Sequence, residues 1–139
     1  MKRLLFWFLL VFVLSAVLTQ TAFLFRNHET VEIPDGFNVI VCHARIRCPA
    51  CLKMESLVRQ TLEEEEIDSV KRFRLMTLEY DIPANNAFAK RFHVGTATVL
   101  LVEQKNGKTV RFRDLTTNVW NHLNNDTAFV TMLKNELKK

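Results

Sequence analysis

Residues 4–25 carry no charge, and Ser15, Thr19, Gln20 and Thr21 are their only polar side chains. As one helix these 22 residues would extend about 33 Å at ~1.5 Å per residue, the depth of a bilayer's hydrocarbon core. Lys2 and Arg3 precede the stretch and Arg26 follows it, so the basic start stays in the cytoplasm and the rest of the chain is exported. A cleaved signal peptide shares the basic start and apolar core. Its small-x-small cleavage pattern is poor here, with Ala22 and Gln20 in the two places that matter before Phe23. The pattern predicts an uncleaved signal anchor over residues 1–25, a single-pass transmembrane helix in the inner (cytoplasmic) membrane. The C-terminal domain would then lie in the periplasm or outside the cell.

Residues 26–36 are mostly polar and hold the turn Pro34-Asp35-Gly36, so they read as a linker. Fully extended they reach about 37 Å at ~3.4 Å each. Residues 37–44 are apolar and β-branched, a first strand. A loop at 45–47 leads into a helix from about 48 to 66, with Leu52, Leu57, Val58 and Leu62 recurring on one face and no internal Gly. Residues 73–80 alternate apolar with polar and predict a second strand. Pro83, Asn85 and Asn86 break it, and Phe88, Ala89 and Phe92 share a face of a short helix over 87–92. Residues 98–102 form the clearest strand, joined through Lys105-Asn106-Gly107 to another at 109–113, since Asn-Gly supplies the positive φ angles of a type I′ hairpin. Trp120, Leu123, Phe129, Val130, Leu133 and Leu137 lie in the C-terminal part, with Asp126 as the expected N-cap of a closing helix. The order predicts an α/β domain over 37–139, a mixed sheet with helices on both faces.

Charge removes some functions. The net charge of +4 falls to +2 once Lys2 and Arg3 are counted with the anchor, and the remaining cations are interleaved with acids. That is a solvated surface and excludes a nucleic-acid partner. The run Glu63-Glu64-Glu65-Glu66 is a solvated helix end or, alternatively, a docking patch for a basic partner. Three cysteines in an exported domain argue against a disulfide-stapled scaffold. The Phe residues divide between anchor and core, and no cofactor is implied.

The chemistry gathers at Cys48-Pro49-Ala50-Cys51, between the first strand and the first helix. At a helix N-terminus, unpaired N–H groups and the helix dipole favour a thiolate. Pro49 fits the first helical position. Arg45, Arg47 and Lys53 lie close in sequence and are candidate tuners of the Cys48 pKa, or plain surface charges. Cys48 is the candidate nucleophile of a redox-active disulfide, and Cys51 the candidate resolving thiol. A permanently closed structural disulfide is the plainer alternative.

Cys42 reads as a small buried hydrophobe or as a third redox thiol, and His43 as a satisfied strand histidine or a proton donor. Both are soft-metal ligand types together with Cys48 and Cys51. Neighbouring strand residues point to opposite faces, however, and a second Cys-x-x-Cys is missing, so no metal is assigned. His93 and His122 receive no role.

Strand, Cys-x-x-Cys at a helix start, strand, helix, hairpin and final helix resemble the thioredoxin-like superfamily over residues 37–139. Ala89-Lys90-Arg91-Phe92-His93-Val94, followed by Val99-Leu100-Leu101-Val102 and Asn106-Gly107-Lys108, is similar to the thioredoxin segment through its third strand and hairpin. The Arg47-Cys48-Pro49-Ala50-Cys51 motif, with the anchored start, is also similar to a bacterial thioredoxin-like family labelled nitrophenyl compound nitroreductase subunit ArsF. The resemblance implies a cell-envelope thiol-disulfide oxidoreductase acting on protein thiols or disulfides. A non-catalytic thioredoxin-fold interaction subunit and a soft-metal binder are the alternatives. Two departures stand out. Cys42 occupies the place of the family's buried Asp, and Thr98, or Ala97 one place earlier, occupies that of its cis-proline. Without that proline a metal could reach Cys48 and Cys51, with Cys42 as candidate third ligand.

Overall fold

The computed structural model describes residues 7, 10–16, 31–68 and 72–139, without the side chains of 65–68. The chain divides into two units, Met1–Thr30 and Val31–Lys139. In the first, Trp7 and residues 10–16 are helical with exposed side chains, and the rest of the expected anchor lies outside the described residues. Among the described residues no helix is long and apolar enough to cross a membrane.

The second unit begins with β1 (Gly36–His43), followed by α1 (Pro49–Asp68), β2 (Phe73–Glu79), a 3-10 turn (Pro83–Asn85) and α2 (Asn86–Arg91). It continues with β3 (Thr98–Lys105), β4 (Lys108–Asp114), α3 (Thr116–His122) and α4 (Asp126–Lys138). The sheet runs β2-β1-β3-β4. β1 and β2 are parallel, with Phe37 opposite Phe73 and His43 opposite Glu79. β3 is antiparallel to β1, with Val41 opposite Val99 and Cys42 opposite Thr98, and β4 is antiparallel to β3. This is a mixed α/β fold, and its β1–α1 connection carries the chain from the C-terminal end of β1 to the start of α1.

Strand alternation sorts the core into two layers. Val39, Val41, Val99 and Leu101 face α1, α3 and α4, packing with Met54, Val58, Val119, Phe129 and Leu133. Ile40, Cys42, Leu100 and Val102 face the other way, against Phe88 and Phe92 of the α2 region. Helices thus cover both faces, as the pattern predicts.

Three boundaries differ from the sequence reading. The Asn125 side chain, not Asp126, caps α4, accepting from the Ala128 N–H at 3.1 Å. Asp126 is the first helical residue and pairs with Lys53 at 2.8 Å. A separate helix, α3, precedes it. And the outer part of the expected linker is packed: Ile33 is buried with Phe88 and Phe92, while Asp35 accepts the N–H groups of Asn106 and Gly107 at 2.9 and 3.0 Å. Residues 26–30 lie outside the described residues. The hairpin turn has positive φ at both Asn106 and Gly107, as expected of Asn-Gly. In the acidic run, Glu64 bonds Lys134 of α4 at 2.7 Å, and that bond holds its carboxyl below the usual range.

Candidate redox site

Cys48 is the residue before the first helical position of α1. Its carbonyl accepts the Leu52 N–H at 3.1 Å, opening the helix. Its sulfur accepts the Cys51 N–H at 3.3 Å, the bond a Ser or Asp side chain makes at an N-cap. Pro49 sits at the first helical position, where a missing N–H costs nothing. The Cys48 and Cys51 sulfurs are 2.6 Å apart as free thiols, so one turn of helix presents both to the same point.

The environment separates the two thiols. The Cys51 S–H and then the Cys51 N–H bond the Cys48 sulfur and lower its pKa, with burial opposing. Cys51 is pushed up, first by burial, then because it donates to Cys48, and further by the Cys48 charge. Cys51 is 6% exposed whereas Cys48 is half-buried. The lower-pKa sulfur is the one a partner can reach, and the proton rests on the inner one.

Two of the candidate tuning cations are paired elsewhere. Arg47 bonds Glu55 at 2.7 Å and the His43 Nε2 at 2.9 Å, and Lys53 bonds Asp126. Arg45 is exposed, and its backbone N–H donates to Asp81 at 2.8 Å. The largest causes of the lowering at Cys48 are the bonds from the Cys51 S–H and N–H. His43 is 4% exposed; because a guanidinium only donates, Nε2 must accept, which leaves the ring proton on Nδ1 to donate to the Ala44 carbonyl at 2.9 Å.

Cys42 is fully buried in the opposite core layer from Cys51. Burial, and secondarily the Asp114 carboxylate, push its thiol up to about 12. It behaves as the small hydrophobe of the first reading, and its place across the sheet excludes it as a third redox thiol or third metal ligand for Cys48 and Cys51. Among the described residues no three His, Cys, Asp or Glu side chains are grouped to hold a metal.

Thr98 opens β3 at 1% exposure and faces the same layer as Cys42. Its hydroxyl lies within hydrogen-bond reach of the Asp114 carboxylate at 3.1 Å and of the Thr116 hydroxyl at 2.7 Å. Ala97, one place earlier, lies in the core layer of Cys51, and its carbonyl accepts the Trp120 indole N–H at 2.9 Å. The peptide bonds of the described residues are all trans. Of Thr98 and Ala97, Ala97 is the one whose side chain shares a core layer with Cys51.

Two neighbours escaped the sequence reading. Tyr80, the residue after β2, packs against the core layer of Cys42, and its phenol is raised first by burial, then by Asp81, and more weakly by Cys51 and Cys48. In the sequence it is one more member of an alternating run. Glu55 looked like an ordinary polar helix position, and only its pairing with Arg47, eight residues away, marks it.

No protein-family model matches the chain, and no curated protein matches it. Among solved structures it is similar to mitochondrial thioredoxin 3 from Saccharomyces cerevisiae in the oxidized form, at 17% identity and a TM-score of 0.42, covering 65% of this chain and 78% of that one. Thioredoxin f2 from Chlamydomonas reinhardtii is 16% identical with a TM-score of 0.40, over 71% and 86% of the two chains. A thioredoxin from Thermus thermophilus is 20% identical with a TM-score of 0.38, over 64% and 72%. The strand order itself gives a mixed four-stranded sheet, with Cys48 and Cys51 where β1 leads into α1.

Proposed function

We propose that the chain is a membrane-anchored thiol-disulfide oxidoreductase of the cell envelope, acting on protein thiols or disulfides, with Cys48 as nucleophile and Cys51 as resolving thiol. The observation that carries this is the division of labour between the sulfurs: the outer one accepts an amide N–H at a helix N-cap, and the inner, buried one keeps the proton. In the reducing direction, the Cys48 thiolate attacks one sulfur of a partner disulfide. That S–S bond breaks, its other sulfur leaves as a thiolate and takes a proton, and a mixed disulfide joins Cys48 to the partner. Cys51 then gives up its proton and attacks the Cys48 sulfur, expelling the second partner sulfur as a thiol. The partner disulfide has gained two electrons, and Cys48 and Cys51 have lost them to a disulfide. Run backwards, the same steps oxidise a partner dithiol.

The test is equilibration of the full-length protein with glutathione buffers, followed by trapping of free thiols. One two-electron transition involving Cys48 and Cys51 is expected, near about −270 mV for a reductant or about −120 mV for an oxidant. In the reduced protein Cys48 should alkylate faster than Cys51. Equal rates, or a pair that stays closed in every buffer, would overturn the reading.

The envelope location is supported by the uncharged stretch 4–25 behind Lys2 and Arg3. A reporter joined after Lys139 should be active only outside the cytoplasm, on a chain that still begins near Met1. A mature N-terminus near Phe23 would instead mark a cleaved signal peptide.

A further inference from the structure

The loop that delivers Cys48 to the helix has little packing of its own. Ile46 is 88% exposed, and among the described residues Arg45 is tied through its backbone N–H to Asp81. What bridges this loop on both sides is the Arg47 guanidinium. One of its nitrogens donates at 2.9 Å to Nε2 of His43, which is buried at the end of β1. The other donates at 2.7 Å to Glu55 in the second turn of α1, and Arg59 steadies Glu55 from the opposite side at 3.4 Å. The two acceptors lie five residues before Cys48 and seven after it.

We propose that Arg47 is a positioning residue for the redox pair, a two-pronged strap from β1 to α1 that keeps the Cys48 sulfur at the helix N-terminus. The inference rests on Cys48 being the attacking thiol. The strap matters because the Cys51 N–H reaches the Cys48 sulfur only while Cys48 holds its N-cap conformation, and the exposed loop has few other restraints. Arg47 acts by shape more than by charge. Its charge is matched by Glu55, and its planar fork serves two acceptors at fixed separation, which an ammonium on a flexible stem cannot do. His43 contributes as a neutral acceptor, its ring proton held on the far nitrogen by Ala44.

The test compares alkylation rates of Cys48 at pH 7 in the reduced full-length protein held in detergent. Arg47→Lys keeps the charge and loses the fork. It should slow Cys48 about three- to tenfold, because its pKa returns toward the ordinary thiol value and the thiolate is the reacting species. Glu55→Ala should slow it similarly, and Arg47→Lys with Glu55→Ala no further than either alone. His43→Gln, which retains an acceptor for Arg47, should stay near the parent rate, whereas His43→Leu should not. A parent-like rate for Arg47→Lys, or single effects that multiply in the double variant, would overturn the strap. Should His43→Leu fail to fold, the Arg47→Lys and Glu55→Ala changes still decide it. A parent protein whose two thiols alkylate equally sinks the redox reading instead, and does so without reference to any variant.

Discussion

Cys42 shows how far a residue's chemistry departs from its identity once it is buried. Its thiol stays protonated up to about 12, against an ordinary value of 9.0, because there is no water to solvate a thiolate and Asp114 repels one. A raised folded-state pKa makes the sign of the pH effect definite. Below pH 9 the thiol is protonated in both states and contributes its full stability. Between 9 and 12 the unfolded chain sheds the proton while the fold retains it, so stability falls with rising pH by about 1.4 kcal/mol per unit. Urea unfolding at pH 9, 10 and 11 should show that slope in the parent beyond whatever slope a Cys42→Ala variant keeps. Identical slopes would mean that Cys42 ionises freely. The residue type and strand pattern already pointed to a buried Cys42, and the Cys48-x-x-Cys51 spacing pointed to the pair, because both signals are local. The partners of Arg47 and His43 are set by what the fold brings near them, and their own residue types do not announce them.

At the scale of elements, legibility followed the strength of the local pattern. β3 and the Asn106-Gly107 turn were readable because a β-branched run and a turn dipeptide each admit few conformations. α3 was not: Thr116, Thr117 and Asn118 are poor helix formers, and seven residues cannot hold a helix by propensity alone. It persists because Val119 is fully buried and because Asp114 accepts both the N–H and the hydroxyl of Thr116, at 2.9 and 2.6 Å. The N-cap of α4 slipped by one residue for a related reason. Asn125 and Asp126 are equally good caps by type, and the choice falls to the backbone: Asn125 is extended, at φ −129°, as a cap requires. Asp126 is left free to meet Lys53, which ties the first turn of α1 to the first turn of α4.

For the molecule as a whole, the order of elements was enough to give a mixed sheet with helices on both faces, since connections between strands are short and run to neighbours. It did not show where the packed unit begins. Polar composition and Pro34-Asp35-Gly36 made 26–36 look like a spacer, yet one apolar residue within it, Ile33, fills a place beside Phe88 and Phe92. Pro34 contributes its carbonyl to the buried Asn38 amide at 2.8 Å, and Asp35 closes the distant hairpin turn. These contacts connect the entry of the chain to the sheet, so a protein cut at Phe37 loses a buried isoleucine, worth about 1.5–3 kcal/mol, along with acceptors for three N–H groups. Comparison of two soluble fragments, 31–139 and 37–139, by urea unfolding should therefore find the shorter less stable by at least about 2 kcal/mol. An Ile33→Ala change in the longer fragment should recover a large part of that loss. Equal midpoints for the two fragments would return residues 31–36 to the linker and make the domain start where the strand does.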